Sequence, residues 1–342
     1  MKTNTKSISF IDAINRYKGK ELPKDFCLSI CRGDVGFLFG PPKSGKTIIS
    51  ENLALCLASG KDSFLGFPIN IPNCKVFSVS MEEPIEVRMI RRGRKQISYF
   101  NKTEIEKISK NLSYSDEGFT ESIRNQSDWL VLKRSIKKLK PDIVIIDSVN
   151  RFSVDIEKRD KVNPIMEKFR TIAKKYNCAI ILIHHSNKSF GNKPIDMHSM
   201  SGSSALARNA EFFIGVNKIG NKKYLKLIVN RFSKNEGLCK TFEISDDLII
   251  KNFNEINEYE LFKDIDGRYH QDSRDILFNC IQENLNTKGC IEVSTLTKIL
   301  VNKEGGFSKK TLFNSLKSLI KDEEIKKVKH GVYKIKTNKR NV

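Results

Sequence analysis

The sequence predicts an α/β fold: a mostly parallel sheet built around a glycine-rich loop, followed by a small second domain of helices and a hairpin. Three observations lead there. Short apolar runs alternate with amphipathic stretches from residue 35 to about residue 250, the pattern of βα units around a buried sheet. The string Gly40-Pro41-Pro42-Lys43-Ser44-Gly45-Lys46-Thr47 stands where the first such run meets the first amphipathic stretch. After residue 271 the pattern changes to helix, helix, helix, hairpin.

Strands are expected at VGFLF (35–39), KVFSVS (75–80), DIVIID (142–147), AIILIHH (179–185), FFIGV (212–216) and LKLIV (225–229). Between them, residues 47–58, 86–100, 128–139 and 164–176 carry apolar side chains at helical spacing. Residues 187–204, NKSFGNKPIDMHSMSGSS, have no apolar period and read as a long loop, which in a compact domain usually serves a function. Composition shifts again at 264–271, DIDGRYHQ. The expected organisation is therefore a large domain over 1–263, with 1–30 partly an extra segment, a linker over 264–271, and a second domain with a basic tail over 272–342. A chain of 342 residues accommodates this, since one core rarely grows past about 250 to 300 residues.

Composition narrows the class further. Hydrophobic residues make up 39% and charged residues 30%, a globular balance, and no stretch holds the roughly 18 apolar residues of a spanning helix. No signal-peptide pattern opens the chain, so a cytoplasmic location is expected. Lys and Arg total 61 against 40 acids, a net charge of +21, which points to a phosphate-rich partner. The competing explanation is a Lys- and Asn-rich proteome. The eight cysteines are scattered without C-x-x-C pairs, and read as reduced core residues.

The glycine-rich string fits G-x-x-x-x-G-K-[ST] in the strand-to-helix context its mechanism needs. Backbone N–H groups from Gly40 through Ile48 would cradle phosphates, Lys46 would neutralise the β and γ oxygens of a nucleotide, and the Thr47 hydroxyl would bind Mg²⁺. Such a site wants a carboxylate at the end of a neighbouring strand for the metal's water shell, and Asp147 closes DIVIID. Hydrolysis also needs a group to orient water, and Glu82, just after KVFSVS, is preferred over Glu83, which with Pro84 looks like the first turn of a helix. His184 and His185 end a strand. Alternation makes one of them face the nucleotide as a γ-phosphate sensor, unless both are satisfied by nearby backbone.

The order GPPKSGKT, VSMEEP, DIVIID, ILIHHSNK, GSSAL over about residues 30–235 resembles the RecA-like P-loop ATPase core, in the branch similar to plasmid RepA hexameric helicases. That resemblance implies ATP held between adjacent subunits of a ring, commonly six. It makes Glu82 the catalytic base, Asp147 the metal aspartate and the His184–His185 pair the sensor. It also places the 187–204 loop at single-stranded DNA, where Lys188 and Lys193 would meet phosphates. An arginine finger from the next subunit would be Arg231 or Arg208. The lysine usual before the late arginine is replaced here by Val229-Asn230. Arg91 is another family-like basic position.

Residues 272–336 read as a winged helix. A first helix spans 273–286, Ser294 caps a second, Ser308 caps a third through Leu319, and strands at 324–328 and 332–336 flank Lys329-His330-Gly331. In that fold the third helix offers Lys309, Lys310 and Asn314 to duplex DNA, while Lys329 on the wing approaches phosphates. Protein docking is the alternative use of such a module. Three functions follow from the sequence: a ring-forming DNA-dependent ATPase and helicase of plasmid, phage or mobile-element replication; a non-translocating DNA-binding ATPase in regulation, partition or recombination; or a nucleotide-dependent adaptor for a protein partner.

Overall fold

The computed structural model describes residues 7–21, 23–116, 119, 122–149, 159–186, 193–200, 210–230, 236–263, 273–287, 289–301, 307–321 and 324–335. The chain divides into two compact units, Met1–Phe262 and Lys263–Val342.

In the first unit, helix α1 (Phe10–Tyr17) is capped by Ser9, and none of its residues is buried. Strand β1 (Val35–Gly40) leads into α2 (Lys46–Ser59), then a short hairpin of β2 (Ser63–Phe64) and β3 (Phe67–Pro68), then β4 (Val76–Ser80). Next, α3 (Ile85–Arg88) continues through a π-turn at Met89–Gly93 into α4 (Arg94–Ile97). The expected helix over 86–100 stops early because Asn101 caps a new helix, accepting the Glu104 N–H at 2.9 Å. That helix, α5 (Lys102–Asn111), precedes β5 (Leu112–Tyr114), α6 (Gln126–Leu139) and β6 (Ile143–Asp147). Helix α7 (Arg159–Tyr176) begins before residue 164, leaving Pro164 inside it. Then come β7 (Ala179–His185), β8 (Phe212–Ile219), β9 (Lys222–Asn230), β10 (Cys239–Ile244), β11 (Ile250–Glu255) and α8 (Glu258–Lys263).

Nine strands form one sheet in the order β11-β10-β9-β8-β1-β7-β6-β4-β5. From β8 to β5 every neighbouring pair is parallel, and β1, β6 and nearly all of β7 are buried, which explains their uninterrupted apolar runs. The last four strands are an antiparallel meander. The run LKLIV is thus the return arm of a hairpin, and β5, β10 and β11 extend the sheet beyond the six strands expected. No helix among the described residues is long and apolar enough to cross a membrane.

The second unit contains α9 (Ser273–Glu283), β12 (Cys290–Glu292), α10 (Val293–Leu296) running into a π-turn at Thr297–Val301, α11 (Lys309–Lys321), β13 (Ile325–Lys329) and β14 (Val332–Ile335). Leu277, Ile281, Leu296, Leu312, Leu316, Leu319 and Ile325 close its core. Ser308 accepts the Thr311 N–H at 3.0 Å at the start of α11. Ser294 does not cap its helix: α10 starts one residue earlier behind Glu292, and the Ser294 hydroxyl bonds that carboxylate at 3.1 Å. Strand β12, too short to show a period of its own, pairs with β14 to make a three-stranded sheet. Lys309, Lys310, Asn314 and Lys329 are all exposed. The expected linker, 264–271, lies outside the described residues.

Candidate active site

The site lies where the parallel strands end and the chain turns into α2. Gly40 ends β1 where a Cβ would stand 1.9 Å from the Val216 carbonyl oxygen, so only glycine lets β8 pass this close. The Ser44 hydroxyl is buried in the loop with no hydrogen-bond partner among the described residues. Lys46, at the start of α2, folds back so that its Nζ donates to the carbonyls of Gly40 at 3.0 Å and Pro41 at 2.9 Å. Burial pulls the Lys46 pKa down to about 8 against the opposing pull of Asp147 and Glu82.

Thr47 follows, and its hydroxyl donates to Asp147 Oδ2 at 3.2 Å. Asp147 ends β6 directly opposite Ser80 of β4, so Glu82, two residues past Ser80, emerges beside it. Burial raises the Asp147 pKa, offset by Arg88. One carboxylate oxygen of Glu82 accepts from the Ser148 hydroxyl and lies 3.7 Å from His185 Nε2. His185, its Nε2 3.7 Å away, does most to hold the Glu82 carboxyl down near a pKa of about 2 despite partial burial, with Ser148 and Lys46 adding to the effect. Glu83 instead turns to Arg92, 2.5 Å away, and Arg91, 3.7 Å away.

The two histidines separate as alternation requires. His184 is buried beside the Phe37 ring, 6.1 Å between centroids, whereas His185 pairs in register with Gly40 and faces the cleft. That cleft, of about 470 Å³, is lined by Pro42, Lys43, Gly45, Lys46, Thr47, Ile48, Glu82, Asp147 and His185. Arg208, Arg231 and Lys188 lie outside the described residues. Lys193 is described, with its side chain exposed.

Several lining residues escaped the sequence reading. Arg88, 1% exposed, places Nε 2.6 Å from Glu51 on α2 and Nη2 3.8 Å from Asp147. Arg92 and Gln96 reach the same Glu51 carboxylate at 2.9 and 3.1 Å. The signal was present, since residues 88, 92 and 96 recur every four positions and so share one helix face. Lys223 on β9 and Ile244 on β10 also line the cleft, brought there by the antiparallel meander.

Comparison with known proteins agrees with this architecture. Residues 24–190 match a family described as an AAA domain. The solved structure of the ATPase domain of G40P superposes with a TM-score of 0.51 at 12% identity, covering 73% of this chain and 99% of that one. The fold is that of a RecA-like P-loop ATPase. A KaiC-like protein from Pyrococcus horikoshii OT3 matches the RecA-like chain at TM-score 0.48 and 15% identity, over 66% of this chain and 94% of that one. The RadB recombinase matches at TM-score 0.44 and 19% identity, over 65% and 92% respectively. No curated protein matches the chain.

The RecA-like site fits a nucleotide with its metal. The buried Ser44 hydroxyl and the Lys46 ammonium, bonded to the Gly40 and Pro41 carbonyls, suit a polyphosphate. The Thr47 hydroxyl and Asp147 carboxylate, already in contact, are hard oxygen donors of the kind Mg²⁺ takes.

Proposed function

We propose that the chain is a ring-forming, DNA-dependent ATPase, a helicase of the RepA type in plasmid, phage or mobile-element replication. The observation that carries this reading is the convergence of Lys46, Thr47, Asp147 and Glu82 at one edge of the sheet, with His185 beside Glu82 and two residues before the 187–204 loop.

In this reading the α2 N-terminus and Lys46 bind the β and γ oxygens of ATP. Thr47 and Asp147 would hold Mg²⁺, which supplies charge neutralisation on those oxygens. Glu82 orients the attacking water. Held by His185 and Ser148, its carboxylate is a weak proton acceptor, and it gains basicity as those donors turn towards the γ-phosphate. His185 therefore reports phosphate occupancy to the loop that follows, where Lys188 and Lys193 contact single-stranded DNA. Arg231 or Arg208 from a neighbouring subunit of a hexamer completes the site. The second unit serves as a winged helix, with Lys309, Lys310, Asn314 and Lys329 at duplex DNA.

The test is steady-state ATP hydrolysis without DNA, with single strands and with duplex, using Lys46→Ala as the control for contaminating activity. Stimulation by single strands supports a translocating ring. Stimulation by duplex alone favours a regulator acting through the second unit, and no hydrolysis under any condition overturns the reading.

A further inference from the structure

The return limb of the 187–204 loop is described over 193–200, and side chains that take no part in the nucleotide site hold it in place. Ser186 and Met200 form an antiparallel bridge that closes the loop one residue beyond His185. Ile195 is fully buried over Gly215, where an added Cβ would lie 2.8 Å from its Cγ2. The slot exists because β8 carries no side chain there.

A polar network fixes the same limb. Asn217 Nδ2 on β8 donates to the Lys193 carbonyl at 3.0 Å and to Tyr224 Oη at 2.8 Å. Tyr224 Oη on β9 donates to Glu258 at 2.7 Å, and the Ile195 N–H donates to the same Glu258 oxygen at 2.8 Å. Lys226 Nζ ion-pairs with the other Glu258 oxygen and donates to the Ile195 carbonyl at 3.1 Å. Glu258 is thus a carboxylate only 11% exposed that gathers donors from β9 and the loop limb. It opens α8, whose last residue, Lys263, is the first of the second unit. A charge this deep is tolerated only while its donors stay in place, so the limb, the β8–β9 hairpin and α8 hold one another in position.

We propose that Glu258 is a positioning residue for the nucleic-acid loop, tying its return limb to the helix that runs into the second unit. It holds the Ile195 backbone directly and, through Tyr224 and Asn217, braces the Lys193 carbonyl while the Lys193 side chain stays exposed, so ligand pull on the loop reaches α8 through one carboxylate. The proposal rests on the reading of 187–204 as a DNA-contacting loop.

The experiment compares full-length wild type with Glu258→Ala and the milder Glu258→Gln, which keeps the shape and loses the charge. Three quantities are read: hydrogen exchange at the Ile195 amide, DNA-free ATP hydrolysis, and the oligothymidylate concentration giving half-maximal stimulation. Loss of a hydrogen bond to a charged acceptor predicts about tenfold faster exchange at Ile195 and about a tenfold higher half-saturating concentration. DNA-free turnover should stay within about twofold, because the Glu258 partners among the described residues, Ile195, Tyr224 and Lys226, do not line the nucleotide cleft. A purely structural Glu258 would lower the melting temperature and leave the half-saturating concentration unmoved, which overturns the proposal. Unchanged exchange at Ile195 overturns it as well. If wild type ignores single strands, the DNA reading has failed, and the tie is judged on exchange alone: faster exchange sustains it and unchanged exchange removes it.

Discussion

The Thr47 hydroxyl donates to the Asp147 carboxylate across 3.2 Å, joining two residues one hundred positions apart in the chain. Thr47 comes from the first turn of α2 and Asp147 from the last residue of β6. The parallel register that sets Asp147 opposite Ser80 also delivers Glu82 to the same spot, so metal donor and water-orienting group share one structural cause.

Asp147→Asn should keep the shape and lose the charge. The expected result is a loss of about 10- to 100-fold in the Mg²⁺ dependence of nucleotide affinity, with affinity in EDTA nearly unchanged. Calorimetric titration of ATP with and without Mg²⁺ checks this, and equal affinity ratios in the two proteins would remove Asp147 from the metal site.

Lys46 predicts a pH dependence on the alkaline side. Its pKa in the fold is about 8 against an ordinary 10.5, so between those values the unfolded chain holds the extra proton and stability rises with pH; below about 8 both states are protonated and that gain is absent. Nucleotide affinity moves the other way. Above pH 8 the free protein must take up a proton to bind a polyphosphate, so affinity should fall by up to about tenfold per pH unit. Dissociation constants for ATP measured from pH 7 to 10 test it, and a flat profile would show that Lys46 stays charged.

Glu82→Gln should bind ATP normally and turn over about a hundred- to ten-thousandfold more slowly. In His185→Ala the largest cause of the depressed Glu82 pKa is gone, so its carboxyl should titrate at higher pH. Carbon-13 chemical shifts of the labelled carboxyl follow this directly. No shift would mean that Ser148 and Lys46 set the Glu82 charge without His185.

The buried pair of Arg88 and Glu51 predicts a non-additive stability cycle. Arg88→Leu leaves a carboxylate that is 2% exposed with Arg92 and Gln96 as its remaining partners, at a cost of about 3 to 5 kcal/mol. Adding Glu51→Leu should recover much of that loss, as read by denaturant unfolding of the single and double variants. Additive losses would show that the pair is not coupled.

How much of this the sequence carried depends on which residues are asked about. The runs of β1, β6 and β7 were legible because strands buried on both faces leave no polar positions. The glycine-rich loop was legible because its spacing is local. Alternation said that one of His184 and His185 faces the cleft, but choosing between them takes the pairing of His185 with Gly40, a relationship between strands. Arg88, Arg92 and Gln96 do not stand out in the sequence, since a polar stripe aimed at a buried carboxylate has the same period as one aimed at water. The strands β10 and β11 were missed because CKTFEI and IKNFNE carry isolated apolar residues with neither a solid apolar run nor a strict alternation.

The posture of Lys46 sets an entry threshold for the whole cleft. Its ammonium is already bonded to two acceptors of its own loop, so an incoming anion must outcompete Gly40 and Pro41 for the same protons. A weakly charged anion would exchange one set of good bonds for another and gain little. A triphosphate brings several negative charges to the α2 N-terminus at once, and the gap between those two cases lets the protein ignore the monoanions that crowd any cell.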